Sequence, residues 1–177
     1  MPHIRPVLPS DTSAILDIYL PFVADTPVTF EYQLPGFHDF RNRIEAISLQ
    51  YPFLVLEENG ELLGYAYASR HREREAYKWA VETSIYMADN ARGRGLGQTL
   101  YSQLLNMLVE RKFTRAYGII TLPNPASEKL HARCGFRHLT IHEKAGYKLD
   151  RWHDVLWMEK NLAGETTPAL TPFFGPA

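Results

Sequence analysis

The chain has 177 residues, 45% hydrophobic and 22% charged, with 19 Lys and Arg against 20 Asp and Glu. That length suits one domain able to bury about 70% of its unfolded surface. The near-neutral balance offers no basic field for nucleic acid or an anionic membrane surface, and the single cysteine, Cys134, excludes an intrachain disulfide and a cysteine-rich zinc site. No apolar run reaches the roughly 18 residues of a membrane span and no N-terminal apolar segment precedes a cleavage site, so a reducing cytoplasm is the expected location.

In chain order, His3 to Leu8 alternates as a short strand, and Ser10-Asp11 caps a helix whose Ile15, Ile18, Tyr19 and Phe22 share one stripe. Pro21 is expected to end or kink it. Thr29 to Tyr32 is β-prone, and a second helix is expected from Phe37 to Gln50 with Phe40, Ile44 and Ile47 at helical spacing. Phe53 to Glu57 and Leu62 to Ala68 flank Asn59-Gly60, a hairpin signal because that pair accepts the positive φ angles of a type I′ turn. Arg70-His71-Arg72-Glu73-Arg74-Glu75 is charged and aperiodic, which reads as a connection, solvated or facing a substrate.

The next stretch organises the chain. Ala80 to Met87 reads as a strand with Val81, Thr83, Ile85 and Met87 on one face and Glu82, Ser84 and Tyr86 on the other. A carboxylate amid such residues is costly unless its surroundings use it or it faces water at an edge. A polar loop leads into Gly93-Arg94-Gly95-Leu96-Gly97, which opens a helix reaching Phe113 with Leu96, Leu100, Leu104, Met107 and Leu108 on one stripe and Tyr101 one turn after Gly97. A glycine-rich strand-to-helix turn presents free backbone N–H groups and a positive dipole end, a seat for phosphate. No Lys-Ser or Lys-Thr follows these glycines, which excludes the nucleoside-triphosphate loop, and their spacing does not match the dinucleotide fingerprint.

Arg115 to Thr121 reads as a strand, and Asn124-Pro125 starts a short helix ended by Cys134-Gly135-Phe136. Two closing strands are expected at about 136 to 144 and 152 to 160, separated by Ala145-Gly146-Tyr147 and a polar turn. A single domain should span residues 1–162, with residues 163–177 a loose Pro-, Gly- and Thr-rich tail. These elements make an α/β (α+β) fold, a mixed central sheet with helices on both faces.

The pattern Arg92-x-x-Gly95-x-Gly97 between strand and helix resembles the pyrophosphate loop of the GNAT acyl-CoA N-acyltransferases, and the element order resembles that fold from His3 to about Lys160. Tyr65-Ala66-Tyr67-Ala68, Val81-Glu82-Thr83-Ser84, Leu122-Pro123-Asn124, Gly146-Tyr147-Lys148 and Trp152-His153-Asp154-Val155 resemble the phosphinothricin and methionine sulfoximine N-acetyltransferases of that family. The resemblance implies an acetyl-CoA-dependent enzyme that acetylates the amino group of a small amino-acid analogue. It also implies a homodimer and no metal.

For single residues the resemblance implies that backbone groups of Ile85, Tyr86 and Met87 pair with the pantetheine arm. Gly93, Arg94, Gly95, Leu96, Gly97 and Gln98 would hold the pyrophosphate by their N–H groups, assisted by Arg92 or Arg94. Asn124 would lie along the cofactor or act only as a helix cap. An ammonium ion has no lone pair, so a base must act first; Glu82 is the first candidate, directly or through water, because burial raises a carboxylate's pKa, and its other reading is an electrostatic anchor for the ammonium. Tyr101 matches the acid for the departing thiolate. His131 is a second candidate base or a structural histidine. Arg72 and Arg74 match positions that hold the anionic substrate, with Phe30, Tyr77 and Trp79 as pocket walls. Two other readings are an acetyltransferase of the same fold acting on another small amine, and a non-catalytic acyl-CoA-binding regulator, which would need neither Glu82 nor Tyr101.

Overall fold

The computed structural model describes residues 1–163, 172, 174 and 175. Among these described residues seven strands form one sheet in the order β1-β2-β3-β4-β5-β7-β6: β1 (His3–Pro6), β2 (Phe53–Glu58), β3 (Glu61–Arg70), β4 (Ala80–Met87), β5 (Arg115–Thr121), β6 (Arg137–Lys148) and β7 (Arg151–Asn161). Every neighbouring pair is antiparallel except β4 and β5. That parallel pair is the one joined through a long helix, as its geometry requires.

Four helices cover the sheet: α1 (Thr12–Asp25), α2 (Phe37–Ser48), α3 (Leu96–Glu110) and α4 (Pro125–Arg133). Period-two alternation in β2 sends Phe53 and Val55 to one face and Leu54 and Leu56 to the other, so both faces need cover. On one side Ile15, Ile18, Tyr19 and Val23 of α1 and Phe40 and Ile44 of α2 pack against Phe53, Val55 and Tyr65. On the other, Leu100, Tyr101, Leu104 and Leu108 of α3 pack against Leu54, Leu56, Val81, Ala116, Leu156 and Met158.

Several expectations hold. Asn59 and Gly60 turn with φ of 54° and 83°, and the two faces of β4 divide as the alternation requires. Three others are corrected. Pro21 does not end α1, which continues to Asp25; of the two expected outcomes the first is overturned, and the residue sits at an exposed position. Thr29 to Tyr32 makes no strand, since its polar groups are satisfied otherwise: Tyr19 Oη lies 3.0 Å from Thr29 Oγ1, and Lys148 donates to Thr29 O at 2.8 Å. The closing strands turn at Leu149-Asp150, with φ of 51° and 59°, whereas Ala145-Gly146-Tyr147 lies within β6, just beyond Lys144 at φ 48° and a break in register. The small residues there mark a bulge, not a turn. Most of the expected tail lies outside the described residues; within it Phe174 packs edge-on against Tyr51 and Phe113.

The β6–β7 hairpin fastens the segment between α1 and α2. Buried Lys148 donates to Val23 O at 2.7 Å as well as to Thr29 O, Tyr32 donates its hydroxyl proton to Tyr147 O, and the Phe30 ring lies on Gly146. A Cβ at Gly146 would stand 2.2 Å from Phe30. Gly146→Ala should therefore displace Phe30 and cost about 1–3 kcal/mol, read as a lower urea midpoint with an unchanged slope.

Candidate active site

The parallel pairing of β4 with β5 is short. It runs from Ala80↔Arg115 to Glu82↔Tyr117 and stops, after which β4 stays with β3 and β5 with β7. The two strands part, leaving a groove lined by Val28, Thr83 to Tyr86, Ile119 to Thr121, Asn124, Ser127 and His131. Ala88 N donates to Leu63 O, so the antiparallel alternation commits the backbone of Tyr86 and Ser84 to β3 and turns that of Thr83, Ile85 and Met87 toward the groove. An extended chain entering here meets a free strand edge. Tyr86 contributes its ring elsewhere, against Tyr19, Phe22 and Tyr65.

At the end of β4 the chain passes a 3-10 turn (Asp89–Ala91) into the glycine loop. Gly93 and Gly95 have φ of 74° and 77°, with open space where a Cβ would stand, and Gly95 is the N-cap of α3. The first N–H groups of α3, those of Leu96 and Gly97, have no acceptor within the helix. Arg92 pairs with Asp89 at 3.0 Å and lies over the Phe22 ring, and Arg94 pairs with Glu58 at 2.6 Å. Exposed pairs of this kind are worth little and exchange readily for a phosphate. A larger cleft of about 800 Å³ lies beside the loop, between α1 and the end of β4. Its rim carries Asp17, Asp25, Glu61 and Asp89, which repel phosphate, so the loop and the strand gap are the better anion and acyl-chain site.

Below the groove runs a buried polar chain. Tyr101 Oη lies 2.7 Å from Thr83 Oγ1 and 3.0 Å from His131 Nε2; His131 Nδ1 lies 2.8 Å from Ser127 O. A carbonyl only accepts, which assigns the proton to Nδ1; Nε2 then accepts from Tyr101. Both nitrogens of His131 are thereby committed. Burial lowers the His131 pKa and raises that of Tyr101, so each stays neutral near pH 7. Gly118, the first residue of β5 beyond the paired stretch, lets the imidazole lie on the strand: a Cβ would come within 2.5 Å of Nε2. Asn124 caps α4, accepting from Ser127 N at 3.1 Å, and its side chain also lines the groove.

On the other face of β4, Glu82 is partly buried, its side chain 30% exposed. Burial is thus less complete than the sequence argument required. Oε1 lies 3.0 Å from His71 Nδ1. Residues 71–74 form an irregular connection between β3 and a 3-10 turn at Glu75–Tyr77. Arg72 lies over the Trp157 ring at 5.9 Å, Arg74 is exposed, and among the described residues neither is ion-paired. Tyr77 is exposed and meets the His71 ring edge-on; Phe30 lies 6.3 Å from His153. Cys134 is buried. Among the described residues no three His, Cys, Asp or Glu gather as a metal site, and no helix is long and apolar enough to cross a membrane.

Sequence reasoning missed Thr83, Gly118 and His71. The first two needed the partner of Tyr101 and the seat of His131, which only the packed α3 and α4 reveal. His71 needed the β3–β4 register, Ser69↔Glu82, which no short turn fixes.

Because burial holds His131 below its ordinary 6.5, the unfolded chain takes up its proton first as pH falls. Stability should be fully present above about pH 6.5 and decline below it. Urea midpoints measured at pH 7.5 and 5.5 should differ less in His131→Gln than in the parent chain. Gly118→Ala, which crowds the same ring, should lower the midpoint at both.

Comparison with known proteins agrees with this geometry. Residues 4–157 match the family described as Acetyltransferase (GNAT) domain. A phosphinothricin N-acetyltransferase of Streptomyces coelicolor is 37% identical over 164 residues, covering 90% of this chain and 96% of that protein. The L-methionine sulfoximine/L-methionine sulfone acetyltransferase of Pseudomonas paraeruginosa is 37% identical over 164 residues, covering 86% and 90%. Among solved structures, a GNAT superfamily phosphinothricin acetyltransferase from Sinorhizobium meliloti in complex with AcCoA superposes with a TM-score of 0.92 at 32% identity, covering 97% of this chain and 95% of that one. With a parting β4–β5 pair, a glycine-opened α3 and a match spanning most of its length, this chain belongs to the GNAT acetyltransferases.

Proposed function

We propose that the protein transfers the acetyl group of acetyl-CoA to the amino group of a small anionic amino-acid analogue, phosphinothricin or methionine sulfoximine being the leading candidates. The observation that carries the substrate class is the charge pairing around the site. Arg92 and Arg94 at the glycine loop carry carboxylate partners, whereas Arg72, over the Trp157 ring that also meets His71, and Arg74 carry none among the described residues. Two unneutralised guanidiniums suit a compact ligand with a carboxylate and a second oxygen-bearing acceptor, the anionic phosphinate of phosphinothricin or the neutral sulfoximine of the methionine analogue. The names of the relatives point to the same class.

Acetyl-CoA supplies the activated acyl carbon and a thiol leaving group. The backbone of Ile85 and Met87 receives its extended arm, and the N–H groups from Gly93 to Gln98 with Arg94 or Arg92 hold its phosphates. Glu82 accepts a proton from the ammonium so that nitrogen can attack as the carbon–sulfur bond breaks. Tyr101 serves the departing sulfur. A thiol has an ordinary pKa of about 8.5, and burial raises Tyr101 above the phenol range. As the carbon–sulfur bond breaks, its hydroxyl therefore turns from His131 Nε2 and donates a hydrogen bond to the thiolate without surrendering its proton. The thiolate then takes the second proton that nitrogen loses in becoming an amide. His131 orients that hydroxyl beforehand and is not the base in this scheme, since both its nitrogens are engaged when the ammonium loses its first proton.

The exposed apolar side chains Leu139, Ile141, Leu149 and Trp152 on the β6–β7 hairpin support assembly as a homodimer through this sheet edge. A cytoplasmic location accords with the lone, buried thiol of Cys134.

Thiol release with acetyl-CoA, measured against phosphinothricin, methionine sulfoximine, methionine sulfone and ordinary amines, should be fastest with one of the first three. Glu82→Gln should lower kcat by about 100-fold or more and leave the acetyl-CoA KM within about twofold. Arg74→Ala should raise the KM for the amino acid about tenfold at unchanged thermal stability, because the residue is exposed. Equal rates across the panel would discard this substrate class.

A further inference from the structure

Glu82 is held by a residue that the family comparison does not explain. His71 follows the last residue of β3, and its Nδ1 lies 3.0 Å from Glu82 Oε1. A carboxylate oxygen accepts, so Nδ1 carries the proton. The donating ring is itself fixed. It stacks on Tyr117 of β5 with centroids 4.5 Å apart and planes at 29°, and it meets Tyr77 and Trp157 edge-on at 5.8 and 6.0 Å. The His71 side chain is 9% exposed against 30% for Glu82, so the rigid partner is the imidazole and the accessible one is the carboxylate. The remaining oxygen, Oε2, has no protein partner among the described residues.

We propose that His71 is a positioning residue for the transfer: its Nδ1–H, clamped between Tyr117, Tyr77 and Trp157, fixes one oxygen of Glu82 and leaves the other for the acceptor's ammonium group. This rests on the reading of Glu82 as base. The physical reason is rotational. A free glutamate on a half-open face samples several rotamers, and ordering it during the reaction costs entropy. A charge-assisted bond to a clamped ring orders it beforehand, and a proton acceptor displaced by about an ångström loses much of its rate. His71 therefore contributes to kcat without touching substrate.

Two substitutions separate this role from packing. His71→Phe keeps a ring between Tyr117 and Trp157 but removes the donor; His71→Asn keeps an N–H near the position of Nδ1 but removes the ring. With the fastest acceptor of the panel, His71→Phe should lower kcat about tenfold with the acetyl-CoA KM within about twofold. His71→Asn should regain most of that loss, even at a lower melting temperature. In a Glu82→Gln background, His71→Phe should cause no further fall, because the two act as a unit. A Phe variant at parent rate, an Asn variant no faster than the Phe variant, or losses that multiply in the double variant would each overturn the positioning role. Glu82→Gln at parent rate would instead overturn the base assignment beneath it, so the two failures are distinguishable.

Discussion

The structure depends on β4 and β5 ceasing to pair after Glu82 and Tyr117. Parallel strands of an ordinary α/β sheet remain joined to their ends, and their unpaired edge groups would otherwise be costly. Here each strand keeps its other neighbour, β3 or β7, so the parting leaves one side of each strand open and the sheet intact. The groove is wedged from the α3 side by Tyr101 and by His131, whose ring occupies the space that a side chain at position 118 would fill. Opening the strands and placing the polar chain beneath them are one event in the packing.

The two faces of β4 then divide the chemistry. Thr83 points toward α3 and joins Tyr101 and His131 in a buried network with no unsatisfied atom among the described residues. Glu82 points the other way, toward the aromatic cluster of His71, Tyr77, Tyr117 and Trp157. Neutral, desolvated groups thus lie on the α3 face of β4 and an accessible carboxylate on the other. Adjacent residues in the sequence differ in role because strand alternation sends them to different environments.

Much of this was legible beforehand. The Asn59-Gly60 hairpin, the α3 stripe and the glycine loop rest on local rules that tertiary packing did not overrule. Failures arose where distant residues decided the outcome. Thr29 to Tyr32 reads as a strand until Lys148, more than a hundred residues away, takes its carbonyl. Ala145-Gly146 reads as a turn until Phe30 explains why a glycine sits in a strand. Pro21 ends a helix by local rules, yet the buried stripe of Tyr19 and Val23 carries α1 past it. Glu82 stands out in the sequence by its cost in an apolar strand, but its partner lies across a register that no sequence pattern sets.

Arg94 holds a carboxylate from the turn end of β2, Glu58, before any phosphate arrives. Under the proposed reading an incoming phosphate displaces one negative group and takes its place, so little net charge is neutralised at that guanidinium. Discrimination at the loop falls to the fixed array of N–H groups around Gly93, Gly95 and the start of α3, which counts oxygens and their directions. On that reading simple inorganic salts, matched in charge but not in shape, gain less from the array than a diphosphate does, and Glu58 returns to solvent when a phosphate takes Arg94.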